Sequence, residues 1–171
     1  MQSRGFAGRR TADRSGAVLL AGFLLTSCAS GDTPMRHDQL TEFATRYAAA
    51  WSSASPDSLA GFYADDGTLQ INAGPPAVGR AAVRATAESF MTAFPDMVVR
   101  LDSVVRTGET ARFYWIWTGT NTGPGGTGRA VRMTGYEEWT FAPNGLIGRS
   151  MGHYDEVEYE RQLREGGPPA S

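Results

Sequence analysis

Arg129-Ala-Val-Arg-Met-Thr-Gly-Tyr-Glu-Glu-Trp-Thr-Phe141, then Ala142-Pro-Asn-Gly145, then Leu146-Ile-Gly-Arg-Ser-Met-Gly-His-Tyr154 is the stretch that decides the fold. Asn144-Gly145 is a strong hairpin signal, because both residues tolerate positive φ. The flanking runs therefore read as two antiparallel strands. Upstream, Met97 to Arg106 and Ala111 to Thr120 form a second pair, joined at Thr107-Gly-Glu109. Gly123-Pro-Gly-Gly-Thr-Gly128 is a flexible connector between the pairs. Four successive strands make an antiparallel meander.

The segments before the meander read as helices. From Asp38 to Ser53, Leu40, Phe43, Ala44, Tyr47, Ala48 and Trp51 recur at three- and four-residue steps and form one apolar stripe. Ser55-Pro56-Asp57 starts a second, short helix: serine caps it and proline fits the first turn. It carries Leu59, Phe62 and Tyr63 inward and is expected to end at Ala64-Asp65-Asp66-Gly67, with a strand at Thr68 to Asn72. A third helix opens at Gly79 and runs to Phe94, where Pro95 and Asp96 stop it. Helices first and a long meander after is an α+β order.

The N-terminus carries Arg4, Arg9, Arg10 and Arg14, then the apolar run Ala17 to Leu25, then Thr26-Ser27-Cys28. That is the order of a secretory signal. Nine apolar residues fall well short of the roughly 20 needed to span a bilayer. Leu25-Thr-Ser-Cys28 resembles the lipobox of bacterial lipoproteins, in which the cysteine becomes the lipid-modified first residue. Cys28 is the only cysteine of the chain. The other reading is an ordinary signal peptide followed by an unpaired thiol, a liability in an oxidising compartment. The expected organisation is a signal peptide at 1–27, a short tether at 28–35, a domain at 36–165 and a disordered tail at 166–171. The implied location is the bacterial cell envelope, with the membrane as partner through a lipid on Cys28.

All 16 basic residues of the 171 are arginine. Cleavage before Cys28 leaves 12 of them against 17 acids, a net charge of −5. A mildly acidic domain without a basic run argues against nucleic acid. Two histidines, His37 and His153, and one cysteine supply no metal-ligand spacing. No glycine-rich loop precedes a helix in the manner of a phosphate site. No metal and no cofactor are expected.

Several pieces, taken in order, resemble the SnoaL-like polyketide cyclases of the nuclear transport factor 2-like superfamily. They are Ala50-Trp51, Phe62-Tyr-Ala-Asp-Asp66, Pro75-Pro-Ala-Val-Gly-Arg80, Ala93-Phe-Pro-Asp96, Thr118-Gly-Thr-Asn-Thr-Gly123 and the closing Asp155 with Gln162-Leu163. The resemblance spans about Asp38 to Arg164. It implies a cone-shaped α+β fold, with three N-terminal helices packed on a strongly curved, mostly antiparallel sheet that encloses a pocket. It implies a small, mostly apolar guest, and either cofactor-independent cyclase or isomerase chemistry or a non-catalytic binding or protein-interaction role. The sheet's outer face often pairs in this superfamily, so a homodimer is a further implied partner.

Asp155 matches the aspartate that abstracts a proton in those cyclases. A carboxylate in an apolar pocket gains basicity through desolvation. His153 shares a strand face with Asp155 and with Met151, by the period-two rule. It could donate to an enolate oxygen or orient Asp155. Equally, Asp155 could end the strand, with Glu156, Glu158 and Glu160 on a solvated face. Tyr47 and Trp51, at i and i+4, face the sheet together and either line the pocket or fill the core. Phe113, Trp115 and Trp117 share one strand face, with Tyr114 and Ile116 on the other, which implies burial on both. Glu137 and Trp139 share a face, and the sequence leaves open which face is inside. Asn121 stands where the family often carries a histidine; an amide can hydrogen-bond but cannot exchange a proton.

Overall fold

The computed structural model describes residues 35–168. The expected signal peptide, Cys28 with its expected lipid, and all of the expected tether but Met35 lie outside the described residues.

Helix α1 (His37–Trp51) buries the expected stripe of Leu40, Phe43, Ala44, Tyr47, Ala48 and Trp51. Its end is fastened to the sheet by Ser52, whose Oγ accepts from the Val99 N–H at 2.9 Å and donates to the Val99 carbonyl at 3.2 Å. Helix α2 (Pro56–Ala60) starts at Ser55, whose side chain accepts from the Ser58 N–H, with proline in the first turn. Next come β1 (Tyr63–Ile71), β2 (Ala77–Val78) and α3 (Arg80–Ala93). Then follow β3 (Val98–Thr107), β4 (Thr110–Thr120), β5 (Ala130–Phe141) and β6 (Ile147–Tyr154). In the β5–β6 turn Gly145 takes a positive φ of 76° but Asn144 does not, so the hairpin forms through a longer turn, with the Gly145 N–H donating to the Ala142 carbonyl at 2.9 Å. Helix α4 (Glu156–Glu165) closes the chain.

The six strands form one curved, mixed sheet in the order β2-β1-β6-β5-β4-β3. Every neighbouring pair is antiparallel except β1 and β6, which run parallel. Register shifts interrupt β1–β6 between Tyr63 and Thr68, β3–β4 between Leu101 and Ser103, and β5–β6 between Thr140 and Phe141. Such irregularities bend strands and increase twist, which gives a sheet a hollow side. The core fills that side. Tyr47 and Phe113 pack around Trp139, with ring centroids 4.9 Å apart in each pair.

Three expectations need correction. The helices do not all precede the sheet: a fourth, α4, follows the last strand, and the strand expected at Thr68 to Asn72 is a longer β1 followed by β2, both before α3. Ala64-Asp65-Asp66-Gly67 lies within β1 and does not end a helix. The cause is close pairing: a Cβ at Gly67 would sit 2.6 Å from the Ile147 carbonyl, so this residue lets β1 lie against β6. Finally, the acids after Asp155 belong to α4, whose cap is Asp155 itself, its side chain accepting from the Glu158 N–H at 3.0 Å.

Helix α4 has a defined task. Strand β6 pairs with β5 only from Gly135 onward, which leaves the start of β5 without a neighbour on that side. The buried Gln162 takes its place: its Oε1 accepts from the Arg132 N–H at 2.7 Å and its Nε2 donates to the Arg132 carbonyl at 3.0 Å. Gly167, in the segment assigned to the tail, continues the pattern by donating to the Ala130 carbonyl at 2.7 Å.

Candidate functional site

On β5, residues alternate between the hollow side and the outer side of the sheet. Glu137 pairs with Phe113 on one neighbour and Gly152 on the other, so it points to the hollow side with them. Its residue surface is 6% exposed. A buried carboxylate needs hydrogen-bond donors, and three converge on one oxygen, Oε2. Tyr47 Oη donates at 2.9 Å, Trp139 Nε1 at 3.0 Å and Ser150 Oγ at 2.5 Å. The Tyr47 hydroxyl also shares a 2.7 Å hydrogen bond with that of Tyr63. No described donor is spent on Oε1.

Burial pushes the Glu137 carboxyl above the ordinary range, and the bonds from Ser150, Trp139 and Tyr47 oppose that push. Burial, aided by the charge of Glu137, also drives the Tyr47 and Tyr63 phenols well up, so both remain donors across the physiological range.

Glu137 lines a cavity of about 70 Å³ on the hollow side of the sheet. One water needs roughly 10–15 Å³ of such space, so there is room for a guest of a handful of heavy atoms. Five aromatic residues make most of the wall: Trp51, Phe90, Trp115, Trp117 and Tyr154. Leu69, Ile71, Met97 and Val99 complete it, with Gly152 beside the carboxylate. Two glycines shape the site, and only the first is required. A Cβ at Gly135 would meet the Trp115 ring and the His153 carbonyl at 2.4 Å, so the bare Gly135 is what lets the indole of Trp115 lie on β5. At Gly152 a Cβ would be in ordinary contact, 3.7 Å from Glu137 Cγ, and its absence adds to the cavity.

The structure divides the residues singled out from the sequence. Glu137 and Trp51 line the cavity. Tyr47 and Trp139 are buried behind it and serve by holding Glu137. Met151 is not a lining residue: it pairs with Glu138, on the sheet face opposite Glu137. His153 lies on that outer face too, stacked on Tyr136 at 4.7 Å and 4.0 Å from Glu138 Oε2. Asp155 is exposed and committed to capping α4, and it does not line the cavity. His153 and Asp155 thus share no enclosed space in which to act together. Asn121 is a loop clamp: its Nδ2 donates to the Ala93 carbonyl at 3.1 Å and its Oδ1 accepts from the Thr127 N–H at 2.8 Å.

Sequence reasoning assigned no role at the site to Tyr63 or Ser150. The available signal was parity: Ser150, Gly152 and Tyr154 alternate with Met151 and His153, so choosing the face of Glu137 chooses theirs.

A curved sheet crossed by helices, with one buried carboxylate in an aromatic cavity, defines a pocket protein of the cone-fold class. The chain belongs to the SnoaL-like domain family, which matches residues 44–149. Solved structures of similar fold cover nearly the whole of their own chains. A protein described as a SnoaL-like polyketide cyclase, from Jannaschia sp. CCS1, is 18% identical with a TM-score of 0.68, over 80% of this chain and 97% of that one. A protein with a ketosteroid isomerase-like fold from Catenulispora acidiphila, solved in complex with trimethylamine, is 19% identical with a TM-score of 0.65, over 72% and 92%. The epoxide hydrolase/cyclase-like enzyme SalBIII, of pyran ring formation in the polyether salinomycin, is 16% identical with a TM-score of 0.62, over 72% and 96%. No curated protein matches the chain. At these identities the structures establish the fold and leave the chemistry to the site.

Proposed function

We propose that the cavity receives a small, mostly apolar molecule and that Glu137 exchanges a proton with it, in the manner of a cofactor-independent isomerase or cyclase. One observation carries this reading: a buried carboxylate with one oxygen fixed by three donors and the other left to an apolar cavity. Fixing Oε2 holds the carboxylate in one orientation, and burial makes it a stronger base than an exposed glutamate. The general-base role that resemblance implied for Asp155 passes to Glu137, because proton transfer needs the base inside the cavity.

The test uses the full chain, incubated with a mixed metabolite extract and analysed for retained molecules and products. Gly152→Ala places a methyl beside Glu137 without a clash. Wild type is expected to retain a guest, Gly152→Ala to lose it, and Glu137→Gln to retain it without converting it. Equal retention by wild type and Gly152→Ala would remove the cavity from the account.

A second reading, binding without catalysis, is favoured by the size of the cavity. Its 70 Å³ is far below the roughly 300–1,000 Å³ of sites for drug-sized ligands. Turnover that survives in wild type and vanishes in Glu137→Gln decides for catalysis.

We further propose that Cys28 carries a lipid that holds the domain at the cell envelope, on the strength of the charged, apolar and Leu25-to-Cys28 order. Cys28→Ser is expected to block processing or release the protein from membranes. A variant that is fully processed and still membrane-bound contradicts it.

A further inference from the structure

We propose that the Glu137 cavity selects small alkylammonium ions over neutral molecules of the same shape. The proposal rests on the reading that this cavity takes a guest, and it specifies the guest's charge.

The lining is negative in character wherever it is not aliphatic. Its one carboxylate is Glu137, and no arginine or histidine contributes to it. An anionic guest would therefore be repelled. A neutral oxygen finds no free donor among the groups that hold the carboxylate. The Tyr47, Trp139 and Ser150 donors are already engaged on Oε2. The Nε1 of Trp117 is itself buried, so that ring borders the cavity through its carbon framework.

A cation meets the opposite situation. Trp51 and Phe90 stand at 87° to each other, and Phe90 and Trp117 at 81°, with centroids 6.0 Å apart in both pairs. Phe90 thus stands edge-to-face with both indole rings, and all three border the cavity. Aromatic faces carry negative quadrupoles, and cages of several rings are the usual means of holding methylated ammonium groups. Glu137 supplies the counter-charge at one side, with Oε1 uncommitted. The volume matches a compact head of a few methyl groups around one nitrogen. Charge and fit together distinguish this guest from a neutral hydrocarbon, which would gain from burial alone.

The experiment titrates the full chain with tetramethylammonium chloride and, separately, with tert-butanol, a neutral molecule of similar size. Binding is followed by calorimetry and by shifts of the indole N–H signals. Glu137→Gln and Phe90→Leu are measured alongside, with thermal melts to confirm that each is folded. The expected result is tetramethylammonium binding at least tenfold tighter than tert-butanol in wild type. Glu137→Gln should remove most of that preference, and Phe90→Leu should weaken the cation more than the alcohol. Equal affinities, or tighter binding of the alcohol, would overturn selection of the cation while leaving guest binding intact. Binding of neither probe would overturn both.

Discussion

Tyr47→Phe tests the electrostatic account of the site. The hydroxyl removed sits between the Tyr63 hydroxyl at 2.7 Å and Glu137 Oε2 at 2.9 Å. The ring stays, so its edge-on contacts with Trp139 at 4.9 Å, Phe62 at 5.4 Å and Phe113 at 5.5 Å are kept. The change is therefore one lost donor to a buried carboxylate and one stranded tyrosine hydroxyl. A hydrogen bond to a charged group contributes about 1.5–3 kcal/mol, and one pH unit of titration corresponds to about 1.36 kcal/mol. The midpoint of Glu137 is expected to move up by about one to two pH units.

The sign for stability follows from linkage. Burial already raises the folded-state carboxyl above its unfolded value. Between those two values the folded state binds more protons, so stability falls as pH rises through that window. Tyr47→Phe widens the window upward, and its destabilisation must be larger above the new midpoint than at pH 4. The assay is a carbon-13 titration of glutamate-labelled protein, with urea unfolding at acid and alkaline pH. A midpoint that stays put or falls, or a destabilisation independent of pH, would refute the reasoning.

Glu137→Gln keeps an acceptor for the three donors and removes the buried charge; its unfolding free energy is expected to lose the part of the wild-type pH dependence that lies above the ordinary carboxylate range, as urea titrations across pH will show. Asp155→Asn keeps a good helix cap, whereas Asp155→Ala is expected to cost about 1 kcal/mol by thermal melting; neither should change guest binding, and a loss of turnover in Asp155→Asn would return the base to that residue. Gln162→Leu strands the N–H and carbonyl of Arg132 beside a buried side chain, and should destabilise by about 2 kcal/mol or more in urea unfolding. Glu158, held down to about 2 chiefly by its bond from Arg161, supports stability that is present above the ordinary carboxylate range and lost progressively as pH falls from that range to about 2; the pair is exposed and screened, so Arg161→Ala should shift acid unfolding only slightly, to higher pH.

The parts of this fold that local chemistry controls were legible in the sequence. The α1 stripe, the Ser55-Pro56 start and the Asn144-Gly145 turn are each decided within a few residues. The parallel pairing of β1 with β6 was not, because it joins residues some eighty positions apart and depends on Gly67 having no side chain to hold β6 away. Helix α4 was missed for another reason. Asp155-x-x-Glu158 is a capping signature, but the helix it opens is mostly polar, and only a few of its side chains, such as Tyr159, Gln162 and Leu163, pack against the domain.

The site was half visible on the same principle. Glu137 and Glu138 are adjacent on a strand, so one must face the core and the other the outside. Nothing local decides between them. The decision comes from register: Glu137 lies between Phe113 and Gly152, where an aromatic partner and a residue without a side chain leave a carboxylate a mostly apolar space, while Glu138 meets Arg112 at 2.7 Å on the outer face. A charge enters this core because three donors from α1, β5 and β6 are positioned to receive it, and those donors become neighbours only after the sheet has closed around them. The residue proposed as functional is thus specified by tertiary pairing, and a single-residue slip of β5 would exchange a held carboxylate for a solvated ion pair.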